Sequence, residues 1–175
     1  ITANYGLVHT KPAPWTDPAK WTGNPDLYFD LAGIDFVPGK TISIPVKIGN
    51  SSIPVAHLYG IATRISVSNL PLTSTPVVTN ANSILGGNAL NFSYDYSTVA
   101  VDWVNAKTDQ SEFSGNGLLG TITFTIPAST PVGKQINLNF SQTNIVDKNG
   151  APIQCNILNT SATVAFPAGV QGITT

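Results

Sequence analysis

The sequence predicts an all-β protein, a jelly-roll-like or immunoglobulin-like β-sandwich of about ten to twelve short strands with an extended N-terminal arm. The first observation is composition: the chain has one glutamate, no methionine, 15 Gly and 13 Pro, so exposed helix faces lack the residues that stabilise them. The second is an alternation of apolar and polar residues that recurs along the chain. The third is the spacing of turn residues, about every 8–12 positions.

Residues 1–33 are interpreted as an N-terminal arm. Ile1, Ala3, Tyr5 and Leu7 alternate with polar or small residues, which predicts a strand over 1–8. A proline-rich spacer follows, because closely spaced prolines cannot pair in a sheet and favour an extended chain. This strand either folds back on its own domain or is donated to a neighbouring subunit. Two aromatic residues flank the spacer and are candidates for clamping it in place: Trp15 and Trp21.

The sandwich domain is predicted to span residues 34–166, followed by a tail at 167–175. Its strands are expected near 42–48, 59–67, 76–79, 90–96, 99–103, 120–127, 136–140, 153–157 and 162–166. Residues 69–89 form a long connection rich in turn residues. Within the strand at 90–96, we expect the apolar set to face the core and its polar neighbour Asn91 to face solvent: Leu90, Phe92, Tyr94 and Tyr96.

Four short stretches resemble one known family: Val37–Val46 (VPGKTISIPV), Gly115–Phe124 (GNGLLGTITF), Asp147–Ile153 (DKNGAPI) and Ala162–Val164. They are similar to the opening, later and closing strands of cohesin-type modules, which are related in architecture to carbohydrate-binding modules. The resemblance covers roughly residues 34–166. It implies an extracellular, jelly-roll-like sandwich that binds or assembles and performs no chemistry.

Low charge excludes two classes of partner. Charged residues make up only 10% of the chain and the net charge is −1, so no basic surface is available for nucleic acid or an anionic membrane. No apolar run approaches the roughly 18 residues that a membrane-spanning helix needs. We therefore expect no nucleic-acid binding and no membrane insertion. The chain begins at Ile1 rather than Met, so it is either a processed mature form or a trimmed one, and we expect a processed, secreted chain at the cell surface.

Residues for catalysis are sparse, and we predict that the protein is not an enzyme. Glu112 lies in a polar loop, and Asp95 and Asp102 are the only candidate carboxylate pair across a hairpin. His9 and His57 lie on separate elements, which disfavours a nucleophile–base pair and a zinc site. The lone cysteine, Cys155, alternates with Ile153 and Ile157 and is expected to pack as a small apolar residue.

Calcium is the one cofactor with candidate ligands. Asp147 and Asn149 match the first part of a calcium loop, although the same residues suit a plain turn. Asp26, Asp30 and Asp35 form a second candidate set. No cofactor is expected otherwise.

Candidate glycosylation sites occur at four Asn-X-Ser/Thr sequences: Asn50, Asn91, Asn139 and Asn159. Four is close to the number that chance predicts for this composition, and use of the sites depends on the host.

Two functions from different classes fit these observations. The first is a structural subunit of a pilus-like surface filament, in which the strand at 1–8 adds to the sheet of the next subunit, so that the main partner is the protein itself. The alternative is a monomeric, cohesin-like adhesion or binding module for a protein or carbohydrate partner.

Overall fold

The computed structural model of the chain describes residues 23–166, and every regular element in that range is a β-strand. The twelve strands of the described range are β1 Asp26–Phe29, β2 Thr41–Ile48, β3 Val55–Leu58, β4 Gly60–Ser68, β5 Val77–Thr79, β6 Leu90–Ser97, β7 Ala100–Ala106, β8 Phe113–Gly115, β9 Gly117–Thr125, β10 Gln135–Val146, β11 Asn156–Leu158 and β12 Thr160–Thr163. The predicted all-β sandwich is confirmed.

Two five-stranded sheets form the sandwich. The first has the order β11-β1-β2-β9-β5, in which β1 and β11 are parallel and the other pairs antiparallel. The second has the order β12-β10-β4-β7-β6 and is antiparallel throughout. A separate pair, β3 with β8, lies beside them. Since β11 and β12 are separated by one residue, these two edge strands lie on the same side of the sandwich.

Alternation along the strands builds the core, as the sequence predicts. In β2 the four residues that face the second sheet are at most 3% exposed: Ile42, Ile44, Val46 and Ile48. Phe29 of the first sheet stacks on Phe140 of the second, with ring centroids 4.0 Å apart. Trp103 of β7 is fully buried. Burial of such apolar side chains is the main driving force for packing one sheet on the other.

Each of the nine predicted sandwich strands has a counterpart, with shifted bounds. β10 runs to Val146, six residues beyond the predicted end, because a bulge between Ser141 and Asn144 lets pairing with β4 resume. The strand expected at 153–157 is reduced to an isolated bridge at Pro152 and the short β11.

Three strands were not predicted: β1, β3 and β8. They have only three or four residues each, too few for alternation to stand out. β1 lies within residues 1–33, so the sheet begins inside the segment that the sequence assigns to the arm. The predicted strand at 1–8, the aromatic residues Trp15 and Trp21, and the tail at 167–175 lie outside the described residues.

The connection between β4 and β6 is tied to the core by a buried asparagine. Asn105 of β7 is fully buried, and its Nδ2 donates to Ser83 Oγ at 3.0 Å and to the Leu119 carbonyl oxygen at 2.8 Å. Its Oδ1 accepts from Asn80 Nδ2 at 3.4 Å. The side chain of Asn105, on the second sheet, therefore holds residues 80 and 83 of the long connection and also bonds β9 of the first sheet.

We predict that Asn105→Ala lowers the free energy of unfolding by about 1–3 kcal/mol, because buried polar partners lose their hydrogen bonds. Urea denaturation measures the change. Asn144→Ala is the matched control, since Asn144 is exposed on β10. Equal stability of the two variants would contradict this role for Asn105.

Close packing between β5, β7 and β9 depends on Gly120. A Cβ atom at this position would lie 2.6 Å from the Thr79 carbonyl oxygen and 2.8 Å from Cζ2 of Trp103. We expect Gly120→Ala to cost about 1–3 kcal/mol of stability through overpacking. Gly87→Ala is the control, because a Cβ atom there would meet nothing within 4 Å. Thermal unfolding of both variants tests this, and an unchanged Gly120→Ala melting temperature would refute it.

Candidate functional site

An apolar row lies exposed on β6, the edge strand of the second sheet. All eight residues of this strand are exposed. The row consists of Leu90 (53% exposed), Phe92 (57%), Tyr94 (61%) and Tyr96 (56%). Exposed large apolar side chains that form a contiguous group mark interaction sites more often than isolated ones do. We call these four residues the apolar row.

The prediction that this row faces the core is wrong, and the register of β6 explains why. Phe92 pairs with Val104 and Tyr94 with Asp102, so the row shares the outer side of the sheet with these β7 residues. The buried Trp103 occupies the inner side of β7. Its Nε1 donates to Asn91 Oδ1 at 2.8 Å, which places Asn91 on the inner side instead.

A positioned arginine lies beside the apolar row. Arg64 of β4 donates from Nε to Asp102 Oδ1 at 2.7 Å and from Nη2 to Asp102 Oδ2 at 3.0 Å. Its guanidinium carbon lies 3.2 Å from the centre of the Tyr96 ring. A bidentate carboxylate contact and a cation–π contact together restrict the rotamer of the arginine. The hydrogen bonds from Arg64 also hold the pKa of Asp102 below its ordinary value.

Towards β10, this side of the sheet becomes polar. On β10, Asn139 is half-buried and Ser141 and Asn144 are exposed, and Ser141 pairs with Arg64. We define the outer face as the apolar row together with Val104, Asp102, Arg64, Asn139 and Ser141. It has an apolar side at β6, a charged pair at β7 and β4, and a polar side at β10.

The outer face carries a shallow depression of about 150 Å³, which lies between Arg64, Asp102 and Gln142. Small-molecule sites usually enclose about 300–1,000 Å³. A larger open groove of about 570 Å³ lies at the other edge of the sandwich, between Tyr28, Asn50 and Leu158. The shape of the outer face therefore suits a macromolecular surface better than a small ligand.

The candidate carboxylate pair does not form. Asp102 lies on the outer side of β7, whereas Asp95 pairs with Val101, whose side chain faces the core, and so belongs to the inner side. Adjacent positions across a hairpin bring two side chains together only when both lie on the same side. Residue spacing alone cannot establish that condition.

A histidine–glutamate contact links β3 to the loop before β8. His57 Nδ1 lies 2.9 Å from Glu112 Oε2, and Glu112 Oε1 accepts from the Lys148 backbone N–H at 3.0 Å. These two hydrogen bonds lower the pKa of Glu112, the Lys148 bond more strongly. Ser114 Oγ accepts from the backbone N–H of His57 rather than from its ring. The contact joins β3 to two loops and, in the described residues, does not form a nucleophile–base pair.

The calcium candidates are occupied by protein hydrogen bonds. Asp147 Oδ1 accepts from the backbone N–H groups of Asn149 and Ala151, both at 2.8 Å, and thereby closes the turn. In the second set, Asp26 bonds Asn156, Asp30 bonds Lys47, and Asp35 bonds Lys40. No group of three His, Cys, Asp or Glu side chains comes together within residues 23–166. Calcium binding stays a prediction without an assembled site.

In three of the four glycosylation candidates, the side-chain oxygen accepts a hydrogen bond from elsewhere in the protein. Asn50 Oδ1 accepts from the backbone N–H of Ser52 and Ile53, and Asn91 Oδ1 accepts from Trp103. Asn159 is exposed, and its Oδ1 accepts from the Phe140 N–H. Asn139 lies on the outer face, with its flanking residues inside as expected. Glycosylation stays a prediction at all four.

Cys155 is half-buried and packs against the core, as the alternation predicts. Burial raises the pKa of its thiol to about 11, so the thiol stays protonated at neutral pH. Within the described range, no helix combines the length and apolarity required to cross a membrane.

Comparisons with known proteins give matches in structure only. No protein-family model matches the sequence, and no curated protein matches it. The sixth cohesin of scaffoldin B from Acetivibrio cellulolyticus superposes with a TM-score of 0.63 at 16% identity, over 83% of this chain and 100% of that one. The fold is cohesin-like.

Two further cohesins extend the match. A non-cellulosomal cohesin from the archaeon Archaeoglobus fulgidus gives a TM-score of 0.62 at 18% identity, over 82% of this chain and 92% of that one. The OlpA cohesin of Clostridium thermocellum gives 0.61 at 9% identity, over 81% and 99%. The resemblance inferred from four short motifs is thereby confirmed for the cohesin-like sandwich.

We predict that the Arg64–Asp102 pair makes stability depend on pH. Because the folded-state pKa of Asp102 is lowered, its contribution is complete above the ordinary pKa of 3.8 and is lost as pH falls through the lowered value. The stability difference between the wild type and Asp102→Asn should be constant above about pH 5 and shrink towards about pH 3. Urea denaturation across this range measures it.

Asp95→Asn is the matched charge control, since Asp95 lies on the inner side of β6 and has no salt bridge in the described residues. If the difference in stability between the wild type and Asp102→Asn stays constant down to about pH 3, the pH dependence does not come from the Arg64–Asp102 pair.

Proposed function

We propose that the chain is a non-enzymatic, extracellular protein-binding module and that the outer face is its binding surface. The observation that carries the proposal is the apolar row on β6: four large side chains, each more than half exposed, on one side of one strand. Exposing such a set to water is unfavourable, and a partner that covers it gains roughly 25 cal/mol for every Å² of apolar surface buried.

The composition of the outer face supports a protein partner. Tyrosine, phenylalanine and arginine are enriched at the centres of protein interfaces, where a few such residues supply most of the affinity. Tyr94, Phe92 and Arg64 are all present here. The contacts of Arg64 with Asp102 and Tyr96 order its side chain before any partner arrives, which reduces the entropy lost on binding.

The fold supports the same class of partner. The matched scaffoldin cohesin was solved with the Cel5 dockerin, and the matched OlpA cohesin with Doc918. From these complexes we carry over to this chain one general property only, namely that a β-sandwich of this fold binds another protein. The cohesin resemblance of the sequence, which implies an extracellular module, supports a place outside the cell.

The second candidate function is a subunit of a homopolymeric surface filament. One specific observation favours it: the outer edge of β6 is not paired with any strand of the described structure. An unpaired edge offers backbone donors and acceptors to a strand from another chain.

We predict that Phe92→Ser combined with Tyr94→Ser weakens capture of protein partners by about thirtyfold or more, the effect of removing interface anchors. The measurement is affinity capture from the extracellular fraction of the source culture on immobilised chain, quantified by mass spectrometry. Because both side chains are exposed, unfolding free energy should change by only about 0.5 kcal/mol per substitution.

Val77→Ser is the matched control, since Val77 is 58% exposed on the edge of the first sheet. Proteins retained by the wild type and Val77→Ser, and lost with the double variant, support the outer face. Capture that is unchanged in the double variant, or lost equally in Val77→Ser, would overturn it.

A further inference from the structure

β6 is a long sheet edge without the usual protection. The other three edge strands of the two large sheets have only three or four residues: β5, β11 and β12. β6 has eight. Its sequence, LNFSYDYS, contains no lysine and no proline, and Asp95 is its only charged residue. Short length, lysine and proline are the features by which proteins keep edges from pairing with other chains.

Within residues 23–166, the backbone of β6 is paired on one side only. Its described ladder is with β7, and no turn or loop of the described residues bonds to the other side. The strand also presents one apolar and one polar side. The apolar row lies outward, and Asn91, Ser93 and Asp95 lie on the opposite side. A strand added at this edge would therefore meet a defined pattern of side chains.

We propose that residues 1–8 of a second copy of this chain pair with the free edge of β6 and become the sixth strand of the second sheet. This proposal names a partner for the outer face and rests on the protein-binding function proposed for it. The pairing gives main-chain hydrogen bonds along the edge and side-chain contacts on both sides of the sheet.

The sequence of residues 1–8 matches this edge in length, charge and alternation. ITANYGLV has eight residues and no charged side chain. Its apolar set, Ile1, Ala3, Tyr5 and Leu7, extends the apolar row when it faces outward. The even-numbered residues then lie beside the polar side of β6, and all but the last are polar or small: Thr2, Asn4, Gly6 and Val8. Apolar and aromatic pairs across neighbouring strands stabilise a sheet by about 0.2–1 kcal/mol each.

The topology favours a second copy as the donor. β1, which follows the N-terminal segment, lies next to β11 on one side of the sandwich. β6 lies on the other side, near β5. β1, where the described chain leaves the N-terminal segment, and the acceptor edge thus lie on opposite sides of one molecule, an arrangement that suits linking copies head to tail. Residues 9–22 can reach roughly 45 Å when extended, which is enough to reach a neighbouring copy. Because a five-stranded sheet is only about 20 Å wide, the same length also reaches β6 of its own copy, and the cross-linking below distinguishes the two.

Sedimentation of the 175-residue chain tests the proposal. We expect oligomers in the wild type and monomers after deletion of residues 1–8. The combined substitution Phe92→Lys with Tyr94→Lys should also give monomers, because lysine side chains disfavour edge pairing. Val77→Lys, at the edge of the first sheet, should leave the oligomers intact. A monomeric wild type, or oligomers that persist after the deletion or the double substitution, would overturn the proposal.

Cross-linking separates pairing between copies from pairing within one copy. In a Cys155→Ser background, a chain carrying Ala3→Cys is mixed with a mass-tagged chain carrying Phe92→Cys, Tyr94→Cys or, as control, Val77→Cys. Pairing between copies predicts disulfide-linked heterodimers with the β6 variants and none with Val77→Cys. Heterodimers with none of them, or only intramolecular disulfides in a chain carrying both Ala3→Cys and Tyr94→Cys, would refute it.

The outcomes also separate this proposal from the function on which it rests. If the wild type is monomeric but capture of another protein still depends on Phe92 and Tyr94, strand addition is refuted and the binding face stands. If neither assembly nor capture responds to the Phe92 and Tyr94 substitutions, both are refuted.

Discussion

The burial of Trp103 fixes which side of the second sheet faces the core. Its indole is fully enclosed between the sheets, and its one polar atom is satisfied by Asn91 of the neighbouring strand. Because side chains alternate along β7, the neighbours Asp102 and Val104 must lie outward. The β6 side chains paired with them, Tyr94 and Phe92, must do the same. The exposed apolar row is thus a consequence of core packing one strand away.

The same constraint links stability to the proposed function. Asp102 lies outward, where it meets Arg64, and Arg64 in turn lies over Tyr96. A charged pair that is partly shielded from water contributes modestly to stability, but it fixes the positions of three side chains on the outer face. Order in these side chains before binding reduces the entropic cost that a partner must offset. The fold therefore places the outer face, the proposed binding surface, on hydrogen-bonded strands with ordered side chains.

The sequence predicts much of the fold because alternation is strong in the long strands. β2, β4 and β9 have eight or nine residues and bury one side, so their period of two is visible. β1, β3 and β8 have only three or four residues, too few to define a period. The cohesin resemblance could be recognised from turn and strand motifs, although identity with the matched structures is 9–18%.

The site was harder to predict than the fold. Alternation in β6 indicates two sides but does not say which is covered, and the rule that apolar residues lie inside points to the wrong one. Arg64 and Asp102 are 38 positions apart, and Asn105 contacts Ser83 and Leu119 through space rather than along the chain. These contacts depend on strand register, which one sequence does not specify. The one available signal was the set of aromatic residues in a strand that carries a single charged residue, Asp95.

Amide hydrogen exchange of β6 tests most directly whether a protein covers this strand in its native setting. The comparison is between the chain in the material from which it is isolated and the same chain purified and diluted, with residues 90–97 as the reporter and the buried β2 as the reference. Coverage by a protein predicts slower exchange of residues 90–97 in the native material and equal exchange of β2 in both. Equally fast exchange of residues 90–97 in both samples would contradict a binding role for β6.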